Sequence, residues 1–347
     1  MGFRIMKICV IGAGAIGGLL GVRFAMVGHE VTLVARGANL KAIVRDGMRV
    51  QMASGEELHA RWVRAAGSIS EVEEPQDAVI LGMKAHQVEA VARDVPSLFH
   101  AETVVVPMQN GIPWWYFQRL PRELAGRFDD RRIAALDPDG TIAGAIDPAR
   151  IVGCVVYPAA ELEAPGLVRH VEGDRFPLGE LDGIETPRVQ ALSEAFVGAG
   201  FKAPVLADIR SEIWLKLWGN LSFNPISALT HATLVDICRF PISRELAASM
   251  MQEAQSVAEC LGARFRVPLE KRIAGAEKVG KHKTSMLQDV EAGRDPEIDA
   301  LVGAVIELGR MVAVPTPHIE TVYALMKLLG RTLKEEGVYI RAQSAAA

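Results

Sequence analysis

The hydrophobic rhythm of the chain changes partway along. In the first half, short β-branched runs alternate with helical patterns. KICVIG (7–12), HEVTLVA (29–35), DAVILGM (77–83) and TVVVPM (103–108) are nearly continuous in apolar residues. Runs of that kind, rather than strict alternation, suit strands of a parallel sheet covered on both faces. A helix is predicted between the first two, over 15–27, closed by Gly28 at the C′ position. Such β-α-β alternation predicts a doubly wound α/β sheet with right-handed crossovers, a Rossmann-type domain.

From about residue 186 the pattern is helical throughout. VQALSEAFVGAG, SRELAASMMQEAQSVAECLG and EIDALVGAVIELGRMVAV carry apolar residues three and four apart. Gly200, Gly262 and Gly309 stand where these helices or their last turns should end. The expected organisation is a Rossmann-type domain over 1–185, with an insertion near 122–150, followed by an all-helical domain over 186–347. Residues 1–5 read as a short extension, and the terminal SAAA as a frayed end.

At 347 residues the chain suits two domains of ordinary size. Lys plus Arg number 38 against 42 for Asp plus Glu, a net charge of −4. That balance gives no electrostatic reason to expect nucleic acid or an anionic membrane as partner. Cys9, Cys154, Cys238 and Cys260 lie far apart, as reduced thiols in a cytoplasm do, and the scattered histidines offer no metal cluster. The apolar run ICVIGAGAIGGLLGV after Met6-Lys7 is too short to span a bilayer and lacks a cleavage site.

That run has another purpose. Gly12-Ala13-Gly14-Ala15-Ile16-Gly17 matches G-x-G-x-x-G, follows a predicted strand and opens a predicted helix. The first glycine permits the tight turn, the second lets backbone approach a pyrophosphate, and the third lets helix pack on strand. The phosphates would meet unpaired N–H groups and the positive helix end. NAD-binding versions carry an acid at the tip of the second strand. This chain has Val34-Ala35-Arg36-Gly37 there, with Asn39 and Lys41 shortly after. A guanidinium can grip a 2′-phosphate that a carboxylate would repel, so NADP(H) is the expected cofactor and Arg36 its recognition residue. The bland alternative makes Arg36 a solvated loop charge.

WLKLWGNLSFNPISALT (214–230) places Lys216, Asn220 and Asn224 four residues apart, on one helix face. Trp214, Leu217, Trp218, Leu221 and Phe223 wrap most of the remaining circumference. Either that polar face lines a wet cleft between the domains, or it is a partly exposed stripe. Pro225 should kink the helix or force it to restart.

Other polar segments have structural readings of their own. Ser285 with Gln288 spells a capping box, and Asp295 with Pro296 an N-cap followed by proline, with Glu297 in the first turn. Gln109-Asn110-Gly111 follows the fourth predicted strand, and Met83-Lys84 follows the third; both occupy the strand ends where open α/β sheets bind ligands. Asn-Gly is also an ordinary turn pair, and Lys84 an ordinary loop charge.

Together these motifs resemble the ketopantoate reductase (2-dehydropantoate 2-reductase) family. They are the glycine fingerprint, M-K-x-x-Q at 83–87, Q-N-G at 109–111, K-x-x-x-N-x-x-x-N at 216–224, and S-M-x-Q-D-V-x-x-G-R-x-x-E-I-D at 285–299. The resemblance covers nearly the whole chain. It implies NADPH-dependent reduction of a small 2-keto acid to a 2-hydroxy acid, ketopantoate to (R)-pantoate, on the way to pantothenate and coenzyme A. By similarity Lys216 is the general acid. Asn220 and Asn224 hold the substrate hydroxyl and carbonyl, and Ser285 holds its carboxylate. Glu297 anchors a substrate hydroxyl, helps position Lys216 and stands with the cofactor-contacting residues. Asn110 orients nicotinamide and substrate, and Lys84 serves the cofactor or substrate side. A homodimer is one assembly open to such a protein.

The chain departs from the family after Q-N-G, where it reads IPWWYFQRL and then enters the 122–150 segment with its turn-rich LDPDGT. Trp114, Trp115 and Tyr116 either pack that segment onto the domain or narrow the substrate entrance. Two rivals follow: a dehydrogenase of a bulkier keto or hydroxy acid, and a non-catalytic NADPH-binding sensor.

Overall fold

Strand β1 (Lys7–Ile11) pairs in parallel with β2 (Glu30–Val34), and the helix between them, α1 (Ala15–Met26), makes the crossover. The computed structural model describes residues 4–129 and 131–340. Expectations for residues 1–3 and for the terminal SAAA lie outside these. Helix α1 ends where predicted: Val27 is its C-cap, Gly28 takes φ +94°, and the Gly28 N–H bonds the Ala25 carbonyl.

After β2 come α2 (Gly37–Asp46), β3 (Met48–Gln51), β4 (Glu57–Ala60), β5 (Arg64–Ala66), β6 (Gln76–Leu81), α3 (Ala85–Ala92) and β7 (Phe99–Pro107). The parallel sheet has the order β5-β2-β1-β6-β7, so the order reverses at β1. Its central strands are buried along their length, Ile8, Cys9, Val10, Val79 and Ile80 being fully enclosed. That accounts for their continuous rather than alternating apolar pattern.

The chain continues through α4 (Thr141–Ala145), β8 (Val152–Cys154), β9 (Ala159–Ala164), β10 (Leu167–Glu172), β11 (Leu178–Glu180) and α5 (Pro187–Gly198). Strands β4-β3-β10-β9 form a second sheet. Helix α1 lies against both sheets. A Cβ on Gly18 would fall 2.4 Å from Met48 and 2.9 Å from Val168, and one on Gly21 2.5 Å from Leu33. Two glycines thus let one helix back onto two layers.

Two compact units emerge. The first holds the chain to Gln109, Trp114–Arg132 and Asp139–Ile209; the second holds Asn110–Pro113, Ile133–Pro138 and the chain from Arg210. The division falls at Ile209 rather than near 185. Helix α5 explains the difference, because Val189, Leu192 and Phe196 enter the first unit's core, where Phe196 meets Phe24 edge-on at 5.0 Å.

The second unit is helical: α6 (Ile209–Thr230), α7 (Leu234–Arg239), α8 (Pro241–Cys260), α9 (Leu269–Val279), α10 (Ser285–Glu291), a π turn (Asp299–Gly303) leading into α11 (Ala304–Met311), and α12 (Pro317–Glu336). Gly200 and Gly262 follow their helices in left-handed conformations, as expected. Gly309 instead lies within α11, and Ala313 supplies the positive φ after it. The returning chain needs Gly309 small, since a Cβ would lie 2.9 Å from the Val314 carbonyl oxygen. Among the described residues no helix is long and apolar enough to cross a membrane.

Candidate active site

The glycine turn of the first unit shows what each glycine does. Gly12 has φ +99°, and a Cβ there would press on Gly82 and Met83 at 3.1 Å. A Cβ on Gly17 would fall 2.1 Å from the Gly12 carbonyl oxygen. Gly14 is different: its φ is −78°, and no heavy atom lies within 4 Å of its missing Cβ. Nothing in the protein itself demands glycine there, whereas a ligand approaching the backbone would. Helix α1 has no side-chain cap and no acid in its first turn. Its opening N–H groups, around Ala15, Ile16 and Gly17, and its positive end therefore suit a pyrophosphate. A dinucleotide fits this cradle.

The surroundings of the turn are braced. Gly12 and Ala13 donate their N–H groups to the Val34 carbonyl at 3.0 and 3.2 Å. Asn39 donates from Nδ2 to the Ala13 carbonyl at 2.6 Å, while its Oδ1 accepts from the Gly166 N–H at 2.8 Å. The sequence marks Asn39 only as a neighbour of Arg36; a single amide in a helix carries no signal for a brace to a loop so far along the chain. Arg36 itself is exposed at the N-cap of α2, at the tip of β2. Lys84 is half-buried at the N-cap of α3, just past β6. Gln109 ties the same region together, donating from Nε2 to the Leu81 and Met83 carbonyls at 2.8 and 3.0 Å.

In the second unit α6 carries the polar stripe. Trp214, Leu217, Trp218, Leu221 and Phe223 are all buried, as their wrapping of the helix predicts. Lys216 and Asn220 are half-buried and Asn224 is buried. The Lys216 ammonium donates a hydrogen bond to Asn110 Oδ1, which joins the K-x-x-x-N and Q-N-G segments directly.

Pro225 neither ends nor restarts the helix; α6 runs through it to Thr230. One backbone hydrogen bond is lost at the Leu221 carbonyl. The buried neighbours Leu221, Phe223, Ile226 and Ala228 hold the helix by packing, the larger source of helix stability in proteins. Lys216, Asn220 and Asn224 therefore lie along one uninterrupted helix.

Two capping expectations are corrected. The N-cap of α10 is Thr284, whose hydroxyl accepts from the Leu287 N–H at 3.3 Å, so Ser285 is the exposed first residue of the helix. A hydroxyl at either position could cap, and the extended backbone of Thr284 decides it. The helix after Asp295-Pro296 starts later than expected, with Ile298 as N-cap, so half-buried Glu297 precedes it. The Ile298 N–H turns back to the Pro296 carbonyl at 2.9 Å, which closes a tight turn in place of the first helical turn.

Trp114, Trp115, Tyr116 and Phe117 are buried. Trp115 sits against β8, within 3.0 Å of where a Gly153 Cβ would be, and Phe117 stacks near Phe128 at 5.5 Å. Of the four, Trp115 thus packs on β8, and Phe117 meets a ring of the 122–150 segment.

The chain matches the family model described as Ketopantoate reductase PanE/ApbA over residues 8–183, and its C-terminal counterpart over 208–330. It is 52% identical over 335 residues to a 2-dehydropantoate 2-reductase of Mesorhizobium japonicum, covering 96% of this chain and 100% of that relative. Among solved structures, a protein of Ralstonia solanacearum MolK2 assigned as a ketopantoate reductase superposes with a TM-score of 0.89 at 38% identity, covering 97% of this chain and 100% of that one. The 2-dehydropantoate 2-reductase from Methylococcus capsulatus gives 0.75 at 30%, covering 94% and 97%. With both halves matched and the residues of the fingerprint and the lysine–asparagine pair in place, the chain belongs to the ketopantoate reductase family and is an oxidoreductase.

Proposed function

We propose that the protein reduces a small 2-keto acid with NADPH, and that the acid is ketopantoate, giving (R)-pantoate. The observation that carries this is the Lys216–Asn110 hydrogen bond, which puts an ammonium and a carboxamide side by side in a chain of this family. NADPH, when bound, supplies the hydride for the C2 carbonyl carbon. The Gly12–Gly17 turn holds its pyrophosphate, Arg36 its 2′-phosphate, and Lys84 contributes from the end of β6.

The remaining chemistry belongs to side chains. Lys216 presents positive charge and a proton to the carbonyl oxygen; charge stabilises the oxygen as it becomes alkoxide, and the proton then completes the hydroxyl. Asn110 orients that ammonium and the substrate. Asn220 and Asn224, one and two helical steps on, hold the substrate hydroxyl and carbonyl. Ser285 binds the carboxylate, and Glu297 anchors a substrate hydroxyl, helps place Lys216 and contributes to cofactor binding.

Support comes from the spacing of Lys216, Asn220 and Asn224 on one continuous helix and from the open space beside Gly14. A steady-state assay with ketopantoate and NADPH tests it. Turnover of ketopantoate in preference to bulkier or aromatic keto acids is expected. A reversed preference would move the substrate to the bulkier class, and tight NADPH binding without any turnover would make the protein a sensor.

A further inference from the structure

Residues Asp299–Gly303 form an isolated π turn that runs into α11. Such turns are rare and recur at functional sites. This one is gripped from two sides within the second unit. On one side the Ala300 carbonyl accepts the Ile112 N–H at 2.9 Å. Gly111, at φ +90°, lies so close to the same carbonyl that a Cβ would be 2.2 Å from its oxygen and 2.5 Å from its carbon. On the other side Tyr323 of α12 donates its hydroxyl to Asp299 Oδ1 at 2.7 Å. The Tyr323 ring also fills the space at Gly303, 3.1 Å from where a Cβ would sit, and Lys327 Nζ reaches both Asp299 oxygens at 3.2 Å.

The consequence runs through the backbone. Gly111 and Ile112 are seated on Ala300, so the residue before them is held as well, and that residue is Asn110. Its carboxamide oxygen is the acceptor for the Lys216 ammonium. Any side chain at position 111 would have to lift the 110–112 segment off the turn. We propose that the π turn is a positioning element for the reaction: it seats Gly111 and Ile112, and so holds Asn110 on Lys216, while Tyr323 clamps its far side. Gly111 and Tyr323 are then positioning residues acting through Asn110. This builds on Lys216 as proton donor and assigns a role to two motif positions, Gly111 and Asp299, that the proposed chemistry leaves unused.

The test compares Gly111→Ala and Tyr323→Phe with wild type, in kcat, both KM values and Tm, and repeats Tyr323→Phe in an Asn110→Ala background. A misplacement of about 1 Å can cost roughly a hundredfold in rate. Gly111→Ala should lose about that factor in kcat, and Tyr323→Phe about tenfold, with KM for NADPH within about twofold. In the Asn110→Ala background Tyr323→Phe should cost nothing further, because coupled residues are not additive. Should Gly111→Ala fail to fold, Tyr323→Phe carries the test alone. Equal loss in both backgrounds, or a lowered Tm with kcat unchanged, overturns the inference. If Lys216→Ala is inactive while Tyr323→Phe matches wild type, this inference alone falls. A wild-type enzyme that reduces no 2-keto acid overturns the proposed function together with it.

Discussion

Lys216 and Asn110 are 106 residues apart in the sequence, yet the ammonium of one donates a hydrogen bond to the carboxamide oxygen of the other. A half-buried ammonium needs such an acceptor, since desolvation penalises an unpaired charge. Replacing Lys216 by alanine removes the proposed proton donor and should lower kcat by about 10²–10⁴-fold. Single-turnover reduction with saturating NADPH reads this directly; an unchanged rate would remove Lys216 from the chemistry.

Gly14 and Gly17 make a contrasting pair. Alanine at 14 meets no heavy atom within 4 Å and an ordinary φ, so Gly14→Ala should leave Tm near wild type while weakening NADPH binding about tenfold or more. Alanine at 17 would strike the Gly12 carbonyl oxygen at 2.1 Å and should cost about 1–3 kcal/mol of stability. Thermal unfolding beside cofactor titration separates the two.

Arg36 is exposed at the tip of β2, where its guanidinium is available to a phosphate. A charge-assisted hydrogen bond contributes about 1.5–3 kcal/mol. Arg36→Ala should therefore raise KM for NADPH roughly ten- to a hundredfold and leave KM for NADH nearly unchanged. An equal effect on both coenzymes would make Arg36 a loop charge.

Glu180 is buried, and Arg188 holds it with bonds of 2.7 and 2.5 Å, while the Thr186 hydroxyl adds a third at 2.5 Å. The Glu180 carboxylate pushes the Arg188 guanidinium above its ordinary pKa. Removing the cation leaves a buried carboxylate without its partner, which typically costs about 3–5 kcal/mol. Denaturant unfolding of Arg188→Ala should show a loss of that order at neutral pH, and an unchanged midpoint would contradict it.

Burial alone pushes the Cys9 thiol up to about 12. The folded chain therefore keeps a proton that the unfolded chain releases near an ordinary thiol pKa of about 8.5. The resulting stability is complete below that pH and is lost as pH rises toward 12, at about 1.4 kcal/mol per pH unit. Tm should be flat into mild alkali and then fall, with Cys9→Ala falling less steeply. Parallel slopes for the two proteins would contradict this.

The sequence made the cofactor unit legible because its signals are local. Strand, glycine turn and helix lie within residues 7–28, and Gly12 and Gly17 each have a separate steric reason. The second sheet, β4-β3-β10-β9, was not legible: its strands are short, partly exposed and joined across more than a hundred residues, as in the Val168–Val50 register. The lysine face was readable from four-residue spacing, and Asn110 from its place after a strand. Their hydrogen bond was not, nor was the π turn beneath Gly111, since neither leaves a periodic trace. Thr284 displaced Ser285 as N-cap because both residue types can cap and backbone conformation chooses between them.

The central claim is that the Lys216–Asn110 pair reduces ketopantoate with NADPH. Its most direct test is NADPH consumption and pantoate formation by the purified protein given ketopantoate, with Lys216→Ala alongside. Equimolar NADPH loss and pantoate gain in wild type, reduced by about 10²–10⁴-fold in Lys216→Ala, is the predicted result. NADPH bound but not consumed with ketopantoate, or a Lys216→Ala protein as fast as wild type, would contradict it.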